Sequence, residues 1–256
     1  MLGAAVVMVP MLAVNVALSV AAFRDFDTFD SLLADRGYLG AQSTSLWFAI
    51  VLQSFTAHVL GALLAPFVAA DLLGVEPRMR TSLARTARRL PVLLVTWALT
   101  HWWVLLIALG AVNSREAFAA GFLAWGPLVA VGTVPFVLIT PALALEGLGL
   151  RAAIGRSWVF ARQRFGAVYG FVLLCTLLGG VLFGFISMLP QLLESTGLVS
   201  FGSIGYLVQG VTVQLALLVV LPLVAMATGR LFVQLRVHVE GADILLAADR
   251  AFGGPA

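Results

Sequence analysis

Six long stretches of this chain contain no arginine, and the arginines fall in the gaps between them. The stretches are about 3–23, 45–71, 91–112, 118–145, 166–189 and 204–229. A helix rising 1.5 Å per residue needs about 20 largely apolar residues to cross a hydrocarbon layer of about 30 Å, and each stretch reaches that length. Of 256 residues, 61% are hydrophobic and 11% charged, where water-soluble domains carry roughly 25% charged residues. The pattern predicts an all-α polytopic membrane protein. Residues 1–256 form a single domain of six transmembrane helices, with amphipathic cytoplasmic arm helices and a cytoplasmic tail at 230–256. Pro127, Pro135 and Pro141 in the fourth stretch predict a kinked or broken helix there.

Orientation follows from the loops, because cytoplasmic loops keep positive charge. Arg78, Arg80, Arg85, Arg88 and Arg89 lie between the second and third stretches, and Arg151, Arg156, Arg162 and Arg164 between the fourth and fifth. Arg230, Arg236 and Arg250 lie in the tail. The opposite side holds only Arg24, Arg36 and Arg115. Both termini are therefore expected on the cytoplasmic side of the plasma (inner) membrane. All fifteen basic residues are arginine, and a composition rich in arginine, alanine and glycine reads as bacterial. Met1 opens onto apolar sequence with no basic residue ahead of it, so either the start lies upstream or the first span takes its direction from later loops. A cleaved signal peptide ending in "SVA" before Ala22 is the competing reading, and the missing positive n-region argues against it. In the first outer loop, Asp25, Asp27, Asp30 and Asp35 mix with Phe26, Phe29, Leu32 and Leu33 at helical spacing, which predicts a short surface helix. The order of its acids is not that of a calcium loop.

The two arms read as a repeat. "PFVAADLLG" ends the second span and "PALALEGLG" the fourth: Pro66 and Pro141, an acid five residues on (Asp71 and Glu146), then Gly74 and Gly149. Arginine-rich segments follow, in which Arg80 and Arg85 correspond to Arg151 and Arg156, with Thr86 and Ser157 next. In "GLRAAIGRSWVFARQRFG", Leu150, Ile154, Trp158, Ala161 and Phe165 fall on one stripe of a helix, with Arg151 and Arg162 beside it. Phe160 and Val159 interrupt the polar side. Tryptophan flanked by arginines suits a helix at headgroup depth, its guanidinium groups reaching phosphate. Each arginine near an anionic leaflet contributes about 1 kcal/mol. The expected lipid- or partner-binding residues are Arg80, Arg85, Arg88, Arg89, Arg151, Arg156, Trp158, Arg162 and Arg164. Asp71 and Glu146 are expected to pair with arm arginines and anchor the arms.

Within the spans, His58 and His101 sit at similar depths on neighbouring antiparallel helices. Their options are a proton relay, metal or haem ligation, or a neutral inter-helix hydrogen bond. With no carboxylate nearby, the pair is thin as a metal site. Asn15, Gln53, Gln209 and Gln214 read most simply as inter-helix hydrogen bonds, the alternative being that they line a path. The lone Cys175 gives no disulfide framework. No nucleic-acid-binding module and none of the common catalytic signatures is present, so no enzymatic activity, cofactor, metal or nucleic-acid partner is expected.

"PALALEGLGLRAAIGRSWVFARQRFGAVYGFVLL" with the tail "RLFVQLRVHVEGADILL" resembles bacterial six-span proteins related to the membrane domain of glycerophosphoryl diester phosphodiesterases. The residues that carry the resemblance are Pro141, Glu146, Arg156, Ser157, Trp158, Arg236, Glu240, Gly241 and Asp243. It covers the C-terminal half best, and the rest only by span pattern. The phosphodiesterase chemistry of that family resides in a separate soluble domain, which this chain lacks. The expectation is a non-enzymatic integral membrane protein, a subunit of an envelope-associated complex. Its arginine-rich arms would contact anionic inner-leaflet lipid or a cytoplasmic or membrane protein partner. The alternative is a permease-like transporter subunit with a coupling helix after Glu146.

Overall fold

The computed structural model describes residues 2–23, 41–101 and 129–241, and all their regular structure is helical. In chain order the helices are α1 (Leu2–Phe23), α2 (Ala41–Leu73), α3 (Met79–Arg88), α4 (Leu90–Thr100), α5 (Ile139–Glu146), α6 (Leu150–Gln163), α7 (Phe165–Ser195) and α8 (Gly205–Glu240). A 3-10 turn at Gly202–Ile204 leads into α8. Three of these helices are long and apolar enough to cross a membrane, over Val51–Leu73, Phe165–Ser195 and Leu207–Glu240; Val6–Leu18 and Leu90–Thr100 are shorter apolar helices. The third and fourth expected spans run through 102–128, and the surface helix expected in the first loop falls largely on 24–40. Both regions lie outside the described residues, as does Asp243 of the tail.

The environment that this surface needs is clearest at α7. Its most apolar window has no buried residue within the described part of the protein, and Leu177, Val181 and Phe185 are each more than 60% exposed. An uninterrupted apolar surface of this kind is matched by hydrocarbon and opposed by water. The described residues are thus all-helical in their regular structure, with three helices long and apolar enough to cross a membrane. Pro10, Pro66, Pro190 and Pro222 all lie inside long helices, which a membrane tolerates because neighbouring helices and hydroxyl side chains satisfy the freed carbonyls.

Helix α2 packs against α1, α8 and α5, and α8 also against α7. Small residues permit the closest approaches. A Cβ at Gly229 would sit 3.4 Å from the Ala65 Cα, and one at Gly61 would sit 3.0 Å from Thr140 Cγ2. Without a hydrophobic drive inside lipid, such close backbone packing and hydrogen bonds hold helices together.

The fourth apolar stretch is not one helix. A helical turn at 129–133 gives way to turns at 134–138, and α5 then starts at Ile139, the interruption that Pro135 and Pro141 predict. The main core gathers at this break: Val134, Leu138, Ile139, Ala142 and Leu143 pack with Leu93, Phe160, Val168 and Phe232. Beyond Arg230, α8 continues as helix to Glu240, and Gly241 ends it with φ +62°. At 36 residues it is about 54 Å long, well beyond the hydrocarbon thickness of about 30 Å. Its last turns therefore extend past the membrane-spanning part.

Candidate functional site

Four charged side chains from three helices meet where the broken segment, the second arm and the end of α8 converge. Glu146 is the last residue of α5, Arg156 lies in mid-α6, and Arg236 and Glu240 are one turn apart at the end of α8. Arg156 uses one edge of its guanidinium on Glu146, with Nε at 2.9 Å from Oε2 and Nη2 at 2.7 Å from Oε1. The other edge takes Glu240, Nη2 at 2.7 Å from Oε2 and Nη1 on Oε1. Arg236 Nε closes the ring at 3.2 Å from Glu146 and 3.4 Å from Glu240. Two-edged fork contacts of this type require arginine, because lysine offers only a point charge.

Local physics explains why the cations collect here. A helix C-terminus carries roughly half a negative charge, so an acid as last residue is unfavourable alone. Glu146 and Glu240 both occupy such positions. Arg89, from the end of the first arm, adds a third cation by donating to the carbonyls of Leu143 and, at 3.0 Å, Gly147 at the end of α5. Three arginines thus face two carboxylates and two helix ends, which is close to neutral. The hydrogen bonds to Glu146, and then those to Glu240, raise the Arg156 pKa against the opposing effect of burial, and it stays protonated. Arg156 above all holds the Glu240 carboxyl below its ordinary range. Below the ring, Arg156 Cζ lies 4.7 Å from the Phe160 ring centroid, and Phe160 meets Phe232 edge-on. Ser157, fully buried, donates to Pro135 O at 2.6 Å and accepts from the Leu138 amide at 3.3 Å. These bonds tie the arm to the helix break.

The arms differ more than their sequences. Gly74 takes the left-handed conformation at the end of α2, φ +66°, whereas in the second arm this role falls to Gly147, φ +71°, immediately after Glu146. Gly149 instead caps the start of α6 in extended conformation. Asp71 is exposed and forms no ion pair among the described residues, in contrast to Glu146. The hydroxyl residues do correspond: Thr86 and Ser157 are both buried. The buried face of α6 is Ala153, Ser157, Phe160 and Ala161, rotated from the stripe through Leu150, Ile154 and Trp158. Docking onto Phe232 and the 135–138 turns decides this face, and the phenylalanine that breaks the polar side becomes the arm's anchor. Trp158 stays 54% exposed.

Arg80, Arg85, Arg88, Arg151, Arg162 and Arg164 are exposed and make no ion pair among the described residues. Arg80, Arg85, Arg88 and Arg89 line one cleft on α3 together with Thr81 and Ala84.

A second polar cluster lies on the helix faces toward the break. His58 Nδ1 is 2.8 Å from Thr140 Oγ1, and His58 Nε2 is 3.3 Å from His101 Nδ1. Thr100 Oγ1 lies within 2.9 Å of both imidazoles. Trp97 stacks on His101 and donates Nε1–H to Ser54 Oγ at 2.8 Å. The set links α2, α4 and α5 by hydrogen bonds, and its geometry also allows a shared proton. No third histidine, cysteine or carboxylate joins it among the described residues. In the α1–α2–α8 junction, Asn15, Gln53, Thr56 and Gln214 line a cavity of about 10 Å³, enough for about one water. The Asn15 Oδ1 in it has no partner within the described protein. Gln209 donates to Ser187 O at 2.9 Å.

The ion ring draws on Arg236 and Glu240, which charge counting alone assigns to the tail. The signal that finds them is their i, i+4 spacing on a helix continuing past Arg230. Comparison with family models, with curated proteins and with solved structures gives no match.

Proposed function

We propose that the chain is a non-enzymatic, six-span protein of the bacterial inner membrane with both termini cytoplasmic, a subunit of an envelope-associated complex. Its two arms hold anionic inner-leaflet lipid. The observation that carries this reading is the division among the arm arginines. Arg89 and Arg156 are committed to the α5 end and the ion ring. Arg80, Arg85, Arg88, Arg151, Arg162 and Arg164 are exposed without counter-ions among the described residues. Beside them lie exposed apolar side chains, Trp158, Val159 and Phe165 on the second arm and Leu72, Leu73 and Leu90 around the first. Guanidinium groups next to lipid-accessible apolar surface match the boundary between headgroups and acyl chains.

The test is the lipid that stays with the purified full chain. Wild type is expected to retain anionic phospholipid above its share of the membrane, and replacing Arg80, Arg85, Arg88, Arg151, Arg162 and Arg164 together by glutamine is expected to remove that enrichment. Equal lipid composition in the two proteins would overturn the reading. The permease-like alternative, with α6 as coupling helix, rests on the break at 134–138 and the exposed Trp158. Capture of an ATPase subunit that is lost in Trp158→Ala would favour it.

A further inference from the structure

We infer that the cleft on α3 is a specific phosphate-binding site that takes the headgroup of an anionic phospholipid. This rests on the lipid reading above and narrows it to one place. At the helical period, Arg80, Thr81, Ala84, Arg85, Arg88 and Arg89 all fall on one half of the α3 circumference. The buried Ser82 and Thr86 fall on the other half, the side that packs against the protein. Long guanidinium side chains thus line, with the short Thr81 and Ala84, an open cleft of about 470 Å³.

Charge makes this cleft a binding site rather than a solvated face. Arg85 and Arg88 are three residues apart, and Arg85 and Arg89 four, spacings at which like charges repel along a helix. No carboxylate among the described residues pairs with Arg80, Arg85 or Arg88. Arg89 is turned onto the carbonyls of Leu143 and Gly147, which fixes one wall of the cleft to the rest of the protein. A phosphate group relieves the repulsion and offers the planar forks of Arg80, Arg85 and Arg88 paired oxygens, with the Thr81 hydroxyl as a further donor. The surroundings select a lipid as the source of that phosphate. Leu72, Leu73 and Val75 before α3, and Leu90, Leu94 and Val95 after it, are exposed apolar side chains in the segments that flank it. Acyl chains can lie along them while the headgroup enters.

The experiment uses the delipidated full chain in detergent and native mass spectrometry. Phosphatidylglycerol, phosphatidic acid and phosphatidylcholine are titrated separately, and inorganic phosphate and glycerol phosphate serve as competitors. Wild type is expected to bind the two anionic lipids in preference to phosphatidylcholine. R80Q/R85Q/R88Q is expected to weaken that binding on the order of a hundredfold, while R151Q/R162Q/R164Q weakens it far less. Unchanged affinity in the first-arm variant with loss in the second-arm variant overturns the cleft and leaves the lipid reading standing. No anionic preference in wild type overturns both. Displacement by equimolar inorganic phosphate overturns the lipid as ligand in favour of a soluble phosphate. If the triple variant does not fold, the conservative R85K/R88K decides: it keeps the charge and loses the forks, so undiminished binding counts against the site.

Discussion

Arg156 grips Glu146 through two nitrogens, at 2.9 and 2.7 Å, although the two residues stand on different helices. The arginine side chain is 24% exposed and the glutamate 12%, so water screens the contact only in part. Arg156→Ala leaves the two carboxylates, each at a helix end, with Arg236 alone between them. It is expected to destabilise the protein by about 2 kcal/mol, between the values typical of exposed and buried pairs. Glu146→Gln is expected to cost less, because Arg156 keeps Glu240. The double variant is expected to cost less than the sum of the singles. Thermal unfolding in detergent measures all three. Additive losses would mean that the ring is not a unit.

Acid acts on the same ring through Glu240. Arg156 above all, and more weakly Arg236, depress its pKa below the ordinary value of 4.5. A carboxyl whose folded pKa is depressed contributes stability that is fully present above the unfolded value and is lost as pH falls through the folded one. The ring's contribution is therefore expected to be constant from neutral pH down to about 5 and to decline below the ordinary carboxylate range. The comparison is the melting temperature of wild type and Glu240→Gln across that range. The gap between them should narrow on acidification, and a gap that widens contradicts the assignment.

Ser157 offers a cleaner probe of the break. Its hydroxyl is buried, donates to Pro135 O and accepts from the Leu138 amide, so it bonds the turns at 134–138 twice. Ser157→Ala removes one oxygen, leaves the buried Leu138 amide without this acceptor, and is expected to cost about 1–3 kcal/mol. Ser157→Thr keeps the oxygen but adds a methyl group to a closed site, and is expected to fall between wild type and alanine. A fully stable Ser157→Ala protein would show that the turns at 134–138 do not depend on the arm.

Much of this arrangement is legible from the residues, and the rest is hidden for definable reasons. The apolar stretches and the interruption near Pro135 follow from composition and proline chemistry. The face of α6 does not. Local spacing favours the stripe through Trp158, and only contact with Phe232, far along the chain, decides that Phe160 turns inward. Gly147 and Gly149 are two residues apart, and sequence cannot tell which takes positive φ; the helix end set by Glu146 chooses Gly147. Asp71 and Glu146 look equivalent in the repeat. They part company because α8 brings Arg236 and Glu240 only to the second arm.

The contact between Gly61 and Thr140 ties the histidine cluster to helix packing and separates its structural role from any chemical one. A Cβ at Gly61 would stand 3.0 Å from Thr140 Cγ2, tighter than most real carbon contacts, so the threonine must give by a few tenths of an ångström. The same threonine offers its hydroxyl to His58 at 2.8 Å. Helix α5 has little freedom to retreat, because Arg89 holds its far end and its core side chains are buried. Gly61→Ala is therefore expected to rotate Thr140 away from His58 and to destabilise the protein by about 1–3 kcal/mol, the usual cost of overpacking. Thr140→Ser removes the offending methyl group and keeps the hydroxyl, so alone it is expected to cost about 1 kcal/mol or less. Combined with Gly61→Ala it is expected to restore most of the lost stability. Melting temperatures of the four proteins form the cycle. Failure of serine to rescue would place the strain in the backbones of α2 and α5 rather than in the methyl group.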